Sequence, residues 1–213
     1  GGIDHHLAYY DWPENMAGDL RKDTQTIVET VSNFWGEIPY EMYVFMGHFM
    51  PGIFGGLEHL NSTALQFDPF SVQTPEGYRD FLGLVAHEYF HTWNVKRIRP
   101  KELGPFDYRN ENYTRMHWLT EGMTSFVDDL FVYTAGLATL EQYLEIMVKR
   151  IKRYEETPGR KFDSLEESSF DAWIKLYRPN ENSRNSTVSY YLKGQIAFYC
   201  LNILLVEQGK TLQ

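Results

Sequence analysis

Cysteine is almost absent. Cys200 is the one thiol in the chain, so no internal disulfide can form and the core does not rely on bridges. It lies in an apolar run and is expected to be buried and inert. One thiol leaves the compartment open, with the cytoplasm favoured over the periplasm. Long apolar runs are missing as well. No stretch has the length and apolarity to span a membrane, and Gly1-Gly2-Ile3-Asp4 lacks the layout of a signal peptide. Positive charge is scarce: 20 Lys and Arg stand against 29 Asp and Glu, a net charge of -9. That balance argues against a nucleic-acid backbone as the main partner. The one basic cluster, Lys96-Arg97-Ile98-Arg99-Pro100-Lys101, follows a predicted helix and complements the negative end of its dipole. Repeats and low-complexity tracts are not found.

What remains describes a globular chain with 43% hydrophobic residues and a mean hydropathy of -0.44, long enough for one domain with a real core. Ile3 to Tyr10 reads as a strand. Pro13 opens a helix to about Trp35, with Leu20, Thr24, Ile27, Val31 and Phe34 on its apolar side. Glu41 to Phe49 and Leu57 to Phe67 read as strands, separated by Pro51-Gly52 and Gly55-Gly56. Thr74-Pro75-Glu76 is a strong helix start, with an N-cap, a first-turn proline and an acid; that helix runs to about Val95. Further helices are predicted from about Asn112 to Ala135, from Leu140 to Tyr154, after a capping box at Ser164-Leu165-Glu166-Glu167, and from Val188 to Gln208. Phe170 to Leu176 is helical or irregular, and Asn180 to Ser186 a polar loop. Strands come first and helices later, an α+β order.

The chemistry centres on His87-Glu88-Tyr89-Phe90-His91. Two histidines four residues apart on a helix lie on one face. Glu88, about 100° round the helix from His87, can reach a water held by a metal between the imidazoles. That pattern suits zinc, with the carboxylate as general base. A third protein ligand is required, leaving a fourth position for water. Glu121 is the best candidate, in the apolar setting Trp118-Leu119-Thr120-Glu121-Gly122, where an unpaired carboxylate would be costly to bury. Asp128, seven residues on, shares its face and could hold a ligand imidazole through a hydrogen bond; Asp129 is the alternative.

The motif followed by a helical Glu-Gly resembles the gluzincin metallopeptidases. More closely, His87 to Ile98, then Trp118 to Gly122, then Ser169-Phe170-Asp171-Ala172-Trp173-Ile174-Lys175 are similar to the glycyl aminopeptidase family. The resemblance covers nearly the whole chain. It implies a thermolysin-like zinc peptidase domain of α+β class, with short N-terminal antiparallel strands and a mainly helical remainder, and zinc as cofactor. Family members also carry an N-terminal β-rich domain and a C-terminal PDZ domain. The chain is therefore expected to be a single catalytic domain, residues 1–213, cut from a longer protein and contacting those domains. The gap from His91 to Glu121 is longer than in thermolysin, so Glu121 rests on its Glu-Gly context.

Before the metal motif, Gly55-Gly56-Leu57-Glu58-His59 allows close backbone approach. An edge strand here could pair with an extended peptide, and Glu58 could then meet a free α-amino group. The segment resembles the Gly-x-Met-Glu-Asn strand of zinc aminopeptidases, whose Glu holds the substrate N-terminus, although Leu57 replaces Met and His59 replaces Asn. Val188-Ser189-Tyr190-Tyr191-Leu192-Lys193-Gly194 resembles their Tyr-x-Lys-Gly signature. That register selects Tyr191 as oxyanion donor, with Tyr190 as runner-up.

The expected function is a zinc aminopeptidase acting on peptides or proteins. Zinc is held by His87, His91 and Glu121. Glu88 and Tyr191 are catalytic, and Gly56, Leu57 and Glu58 bind substrate. By resemblance the released residue is small, Gly or Ala. Two alternatives stand: an endopeptidase, and a peptide-binding module with structural zinc and no turnover.

Overall fold

The structure, a computed structural model, describes residues 2–212. Contacts gather into two compact units: Gly1–Arg97 with Asp128–Leu140, and Ile98–Val127 with Glu141–Gln213.

The first unit contains strands β1 (Asp4–Tyr10), β2 (Met42–Phe49), β3 (Phe54–Glu58) and β4 (Ser62–Phe67), and helices α1 (Leu20–Trp35) and α2 (Pro75–Phe90). The sheet order is β1-β2-β4-β3. β1 runs parallel to β2, with Asp4 opposite Met42, and β2 runs parallel to β4, with Val44 opposite Ser62. Only β3 and β4 are antiparallel, Phe54 opposite Phe67 and Glu58 opposite Thr63. The expected antiparallel strands are thus mostly parallel. For β1 and β2 the cause is α1, a crossover that returns the chain to the starting end of the sheet; β2 and β4 are parallel because β3, at the sheet's end, carries the chain back before β4 begins. The α+β class itself holds.

β2 alternates as a half-buried strand does: Tyr43, Phe45 and Phe49 are buried, while Met42 and Met46 are exposed. Its inner face meets α2, with Tyr43 and Tyr89 rings 5.1 Å apart and Phe49 and Phe81 rings 5.4 Å apart. α2 is buried nearly all round; Phe81, Leu82, Val85, Ala86, Tyr89 and Phe90 are each no more than 1% exposed. Burying one such large side chain contributes about 1.5–3 kcal/mol, so the helix that bears the His-Glu-His motif is held firmly.

Several boundaries differ from the sequence reading. α1 starts at Leu20, not Pro13, with Asp19 accepting from the Lys22 N–H at 3.2 Å. The preceding loop is held elsewhere: Ala17 N–H donates to the Val72 carbonyl at 2.9 Å, and Gly18 lies against the Tyr78 ring. Leu57 to Phe67 is two strands, because the chain reverses at His59–Asn61, closed by His59 N–H to the Ser62 carbonyl at 2.9 Å. α2 ends at Phe90 and continues to Arg97 as tight turns.

α3 (His117–Thr134) has its first turns in the second unit and its last in the first. It starts later than Asn112, because the Asn112 amide instead binds the Asp107 and Asn110 carbonyls in a loop. The second unit adds α4 (Leu140–Glu155), α5 (Leu165–Phe170), α6 (Ser183–Ser186) and α7 (Tyr190–Glu207). The Ser164 capping box forms as expected. The segment read as polar loop contains the short α6, and residues 171–177 form turns. α3 and α7 touch at glycines. A Cβ on Gly122 would lie 2.6 Å from Gly194 Cα, and one on Gly194 would lie 2.7 Å from the Trp118 carbonyl oxygen. Cys200 is exposed, against expectation. It falls on the outer side of α7, while Gly194, Gln195 and Phe198 take the inner side. Among the described residues, no helix is long and apolar enough to cross a membrane.

Candidate active site

In the first unit, α2 begins as the sequence dictates: Thr74 accepts from the Gly77 N–H at 3.1 Å, with Pro75 in the first turn. At the other end His91 keeps helical dihedrals (φ -61°, ψ -15°) although it caps the helix. The one-turn spacing to His87 therefore survives, and the two rings lie 4.8 Å apart, nearly perpendicular. Each ring is held through Nδ1. His87 Nδ1 lies 2.9 Å from Asp128 Oδ2, and His91 Nδ1 lies 2.6 Å from the Asn94 carbonyl oxygen. A carbonyl and a carboxylate only accept, so Nδ1 carries the proton and the neutral ring keeps its lone pair on Nε2, the ligating form. Asp128, not Asp129, faces His87; Asp129 lies against Gly83, one turn earlier on α2.

Glu88 is buried and packs onto β3. A Cβ at Gly56 would fall 2.3 Å from Glu88 Oε1, so only glycine leaves room for the carboxyl there. Glu58, at the end of the same strand, joins it: ligand atoms of Glu58, Glu88 and His91 all lie within 4.8 Å of one another. β3 terminates the sheet, so its outer edge faces no strand among the described residues. Leu57 is exposed on it, and His59 Nδ1 donates to the Leu57 carbonyl at 3.1 Å.

Sequence reasoning missed the partner of Glu58. Lys96 Nζ is 3.0 Å from Glu58 Oε1. Arg97, beside it, donates to the carbonyls of Thr92 at 2.7 Å, Pro39 at 2.8 Å and Leu60 at 2.9 Å. The basic cluster thus does more than complement a helix dipole: it fastens the end of α2 to the β3–β4 turn. Only the long-range pairing decides this, and no local pattern signals it.

In the second unit, α3 and α7 meet at Gly122 and Gly194; Glu121 precedes the first of these glycines, Tyr191 lies one turn before the second, and the Glu121 charge acts on the Tyr191 phenol. Burial, and then the Glu121 carboxylate, push the Tyr191 phenol well above the usual range, so it remains a protonated donor. Tyr190 is buried and also raised, by burial and then Tyr177. Its ring stacks between His117 and Tyr191, at 5.4 and 4.7 Å. Tyr177 was not anticipated; its hydroxyl lies 3.5 Å from those of both Tyr190 and Tyr191. The Ser169 motif works as scaffolding here. Ser169 Oγ accepts from Trp118 N–H at 3.0 Å at the start of α3. Lys175 pairs with buried Asp163 at 3.0 Å, whose other oxygen accepts from Val188 N–H ahead of α7. Lys193 donates to the Arg160 and Asp163 carbonyls. Glu121 and Asp128 share one face of α3, two turns or about 10 Å apart along the axis.

The donor types fit zinc, which takes neutral imidazole nitrogen and carboxylate oxygen, and both imidazoles are in the ligating tautomer.

Comparison with known proteins agrees with this chemistry. The family profile described as M61 glycyl aminopeptidase matches residues 80–197, more than half of the chain. Aminopeptidase N of Haemophilus influenzae is 25% identical over 154 residues, which is 72% of this chain and 15% of that protein. An aminopeptidase N family protein from Idiomarina loihiensis has a crystal structure that matches with a TM-score of 0.90 and 36% identity, over 98% of this chain and 37% of that one. An M1 zinc metallopeptidase from Deinococcus radiodurans, a mutant bound to a Tyr-Ser-Ala substrate, matches in fold with a TM-score of 0.51 and 16% identity, over 92% of this chain and 36% of that one. The chain therefore spans little more than a third of these solved structures. On the extent of the profile match, the chain belongs to the M61 glycyl aminopeptidase family.

Proposed function

We propose that this chain is the catalytic part of a zinc aminopeptidase that releases small N-terminal residues, glycine or alanine, from peptides. The observation that carries the reading is the pair of histidines on α2, each held through Nδ1 by Asp128 or by the Asn94 carbonyl. His87, His91 and Glu121 would hold the metal. A zinc ion held there would supply Lewis acidity toward a water and the scissile carbonyl.

The remaining roles belong to side chains. Glu88 accepts a proton from the water as its oxygen attacks the carbonyl carbon. It then delivers that proton to the leaving nitrogen as the C–N bond breaks. Tyr191, kept protonated by its setting, donates a hydrogen bond to the oxyanion. The edge of β3 at Gly56 and Leu57 receives the extended peptide through main-chain hydrogen bonds. Glu58 pairs with the substrate's α-ammonium, which restricts cleavage to the first residue.

Hydrolysis of an unblocked glycyl peptide and its N-acetylated twin by the zinc-loaded protein tests this, with Glu88→Gln as control. The expected result is cleavage of the free peptide alone, abolished in the variant. Cleavage of both peptides would make the enzyme an endopeptidase and remove the role given to Glu58. Binding of peptide with no turnover would point to a binding module.

A further inference from the structure

We infer that Lys96 is a built-in competitor for the substrate's amino terminus, so that displacing its ammonium from Glu58 is part of binding and sets affinity for the free amine. This rests on the reading of Glu58 as the ammonium site. Lys96 Nζ stands 3.0 Å from Glu58 Oε1, and the two side chains are 16% and 17% exposed. A primary ammonium at hydrogen-bonding distance from that carboxylate is the chemistry an N-terminal α-ammonium would present, so the lysine marks where the substrate amine goes.

The segment that carries Lys96 is not free to drift. Arg97 clamps it through three carbonyls, Leu60 O among them, just beyond the end of β3. Lys96 N–H donates to the His91 carbonyl at 3.0 Å, tying its backbone to the histidine end of α2. The lysine backbone is thus fixed while its four-carbon arm can swing. Glu58 also lies within 4.8 Å of Glu88. Two carboxylates this close favour a cation between or beside them. With no peptide bound, Lys96 provides one. When a free peptide enters, its α-ammonium supplies the same charge and the lysine is released, so Glu58 keeps a cationic partner throughout. A peptide with a blocked terminus brings no cation and cannot displace the lysine.

Calorimetric titration tests this with the zinc-loaded protein in a Glu88→Gln background, where the peptide is not consumed. The probes are a free glycyl dipeptide and its N-acetylated twin. Lys96→Met removes the competitor and is expected to tighten the free peptide by about fivefold, the scale of a partly exposed ion pair, with the acetylated twin unchanged. Lys96→Arg keeps a clasping cation and should leave both affinities near the parent. Unchanged or weaker binding of the free peptide to Lys96→Met, while the parent still prefers the free over the acetylated probe, overturns the inference and leaves Glu58 as the ammonium site. A parent that binds both probes equally overturns the reading of Glu58, and the inference with it.

Discussion

His87 and His91 each commit one ring nitrogen to the protein, and the two partners differ in kind. Asp128 brings a charge to His87, whereas Asn94 brings a backbone carbonyl to His91. Only the first can be altered by substitution. Asp128→Asn should lower zinc affinity about 10–100-fold, read by competition with a chromophoric chelator, with the thermal melt of the metal-free protein little moved. Unaltered affinity would show that His87 needs no orienting partner. Gly56 offers a second test at this scale. Alanine there places a methyl 2.3 Å from Glu88 Oε1, so the carboxyl must shift. Gly56→Ala should lose activity about 100-fold, since a misplacement of about 1 Å costs that much, while circular dichroism stays that of the parent. Full activity would mean that Glu88 works from another position. The residues of the motif were legible in the sequence because helical spacing alone sets them on one face. The Lys96–Glu58 pair was not, because it joins a turn after α2 to a strand about forty residues earlier, and only the folded sheet brings them together.

At the scale of elements, the glycines of Glu121-Gly122 and Lys193-Gly194 explain why the two motifs have the form they do. They are the point where α3 and α7 make backbone contact, which sets Glu121 beside Tyr191. Gly194→Ala should therefore cost about 1–3 kcal/mol, the scale of overpacking, in a denaturant melt; a neutral result would show that the helices part freely. Ser169→Ala removes the acceptor for Trp118 N–H and should cost about 1 kcal/mol, with lower activity through Glu121 rather than through substrate contact. The β3 hairpin carries a pH-dependent element. Asp68 accepts from the N–H groups of Gly52, Phe70 and Ser71, and these backbone bonds hold its carboxyl below the usual carboxylate range. A depressed folded-state value contributes stability above the ordinary value near 4 and loses it as pH falls through the lower one. Asp68→Asn should flatten the acid side of the stability profile in that window; an unchanged slope would contradict this. Helix starts at Thr74 and Ser164 were readable because capping is local. The parallel strand pairing was not, because strand direction depends on where α1 returns the chain to β2 and on β3 taking the edge of the sheet before β4. Cys200 misled for a related reason: a run of apolar residues in α7 gives no sign of which side the neighbouring elements leave open.

At the scale of the whole molecule, the family match, the order of strands then helices and the donor chemistry agree on one reading. The α+β class and the family were visible in the sequence, because the motifs on α2, α3 and α7 are long and chemically specific. The site proposed for the substrate's amino terminus was visible only as Glu58, without the Lys96 ammonium that pairs with it. The central claim is that one zinc ion is held by His87, His91 and Glu121. The most direct measurement is a zinc titration of the parent beside His91→Ala and Glu121→Gln, with stoichiometry and affinity read against a competing chelator. The account predicts one zinc per chain in the parent. Each variant should bind it more than about 100-fold more weakly, beyond what losing an outer hydrogen-bond partner causes. A Glu121→Gln protein that binds zinc as tightly as the parent would contradict the ligand set.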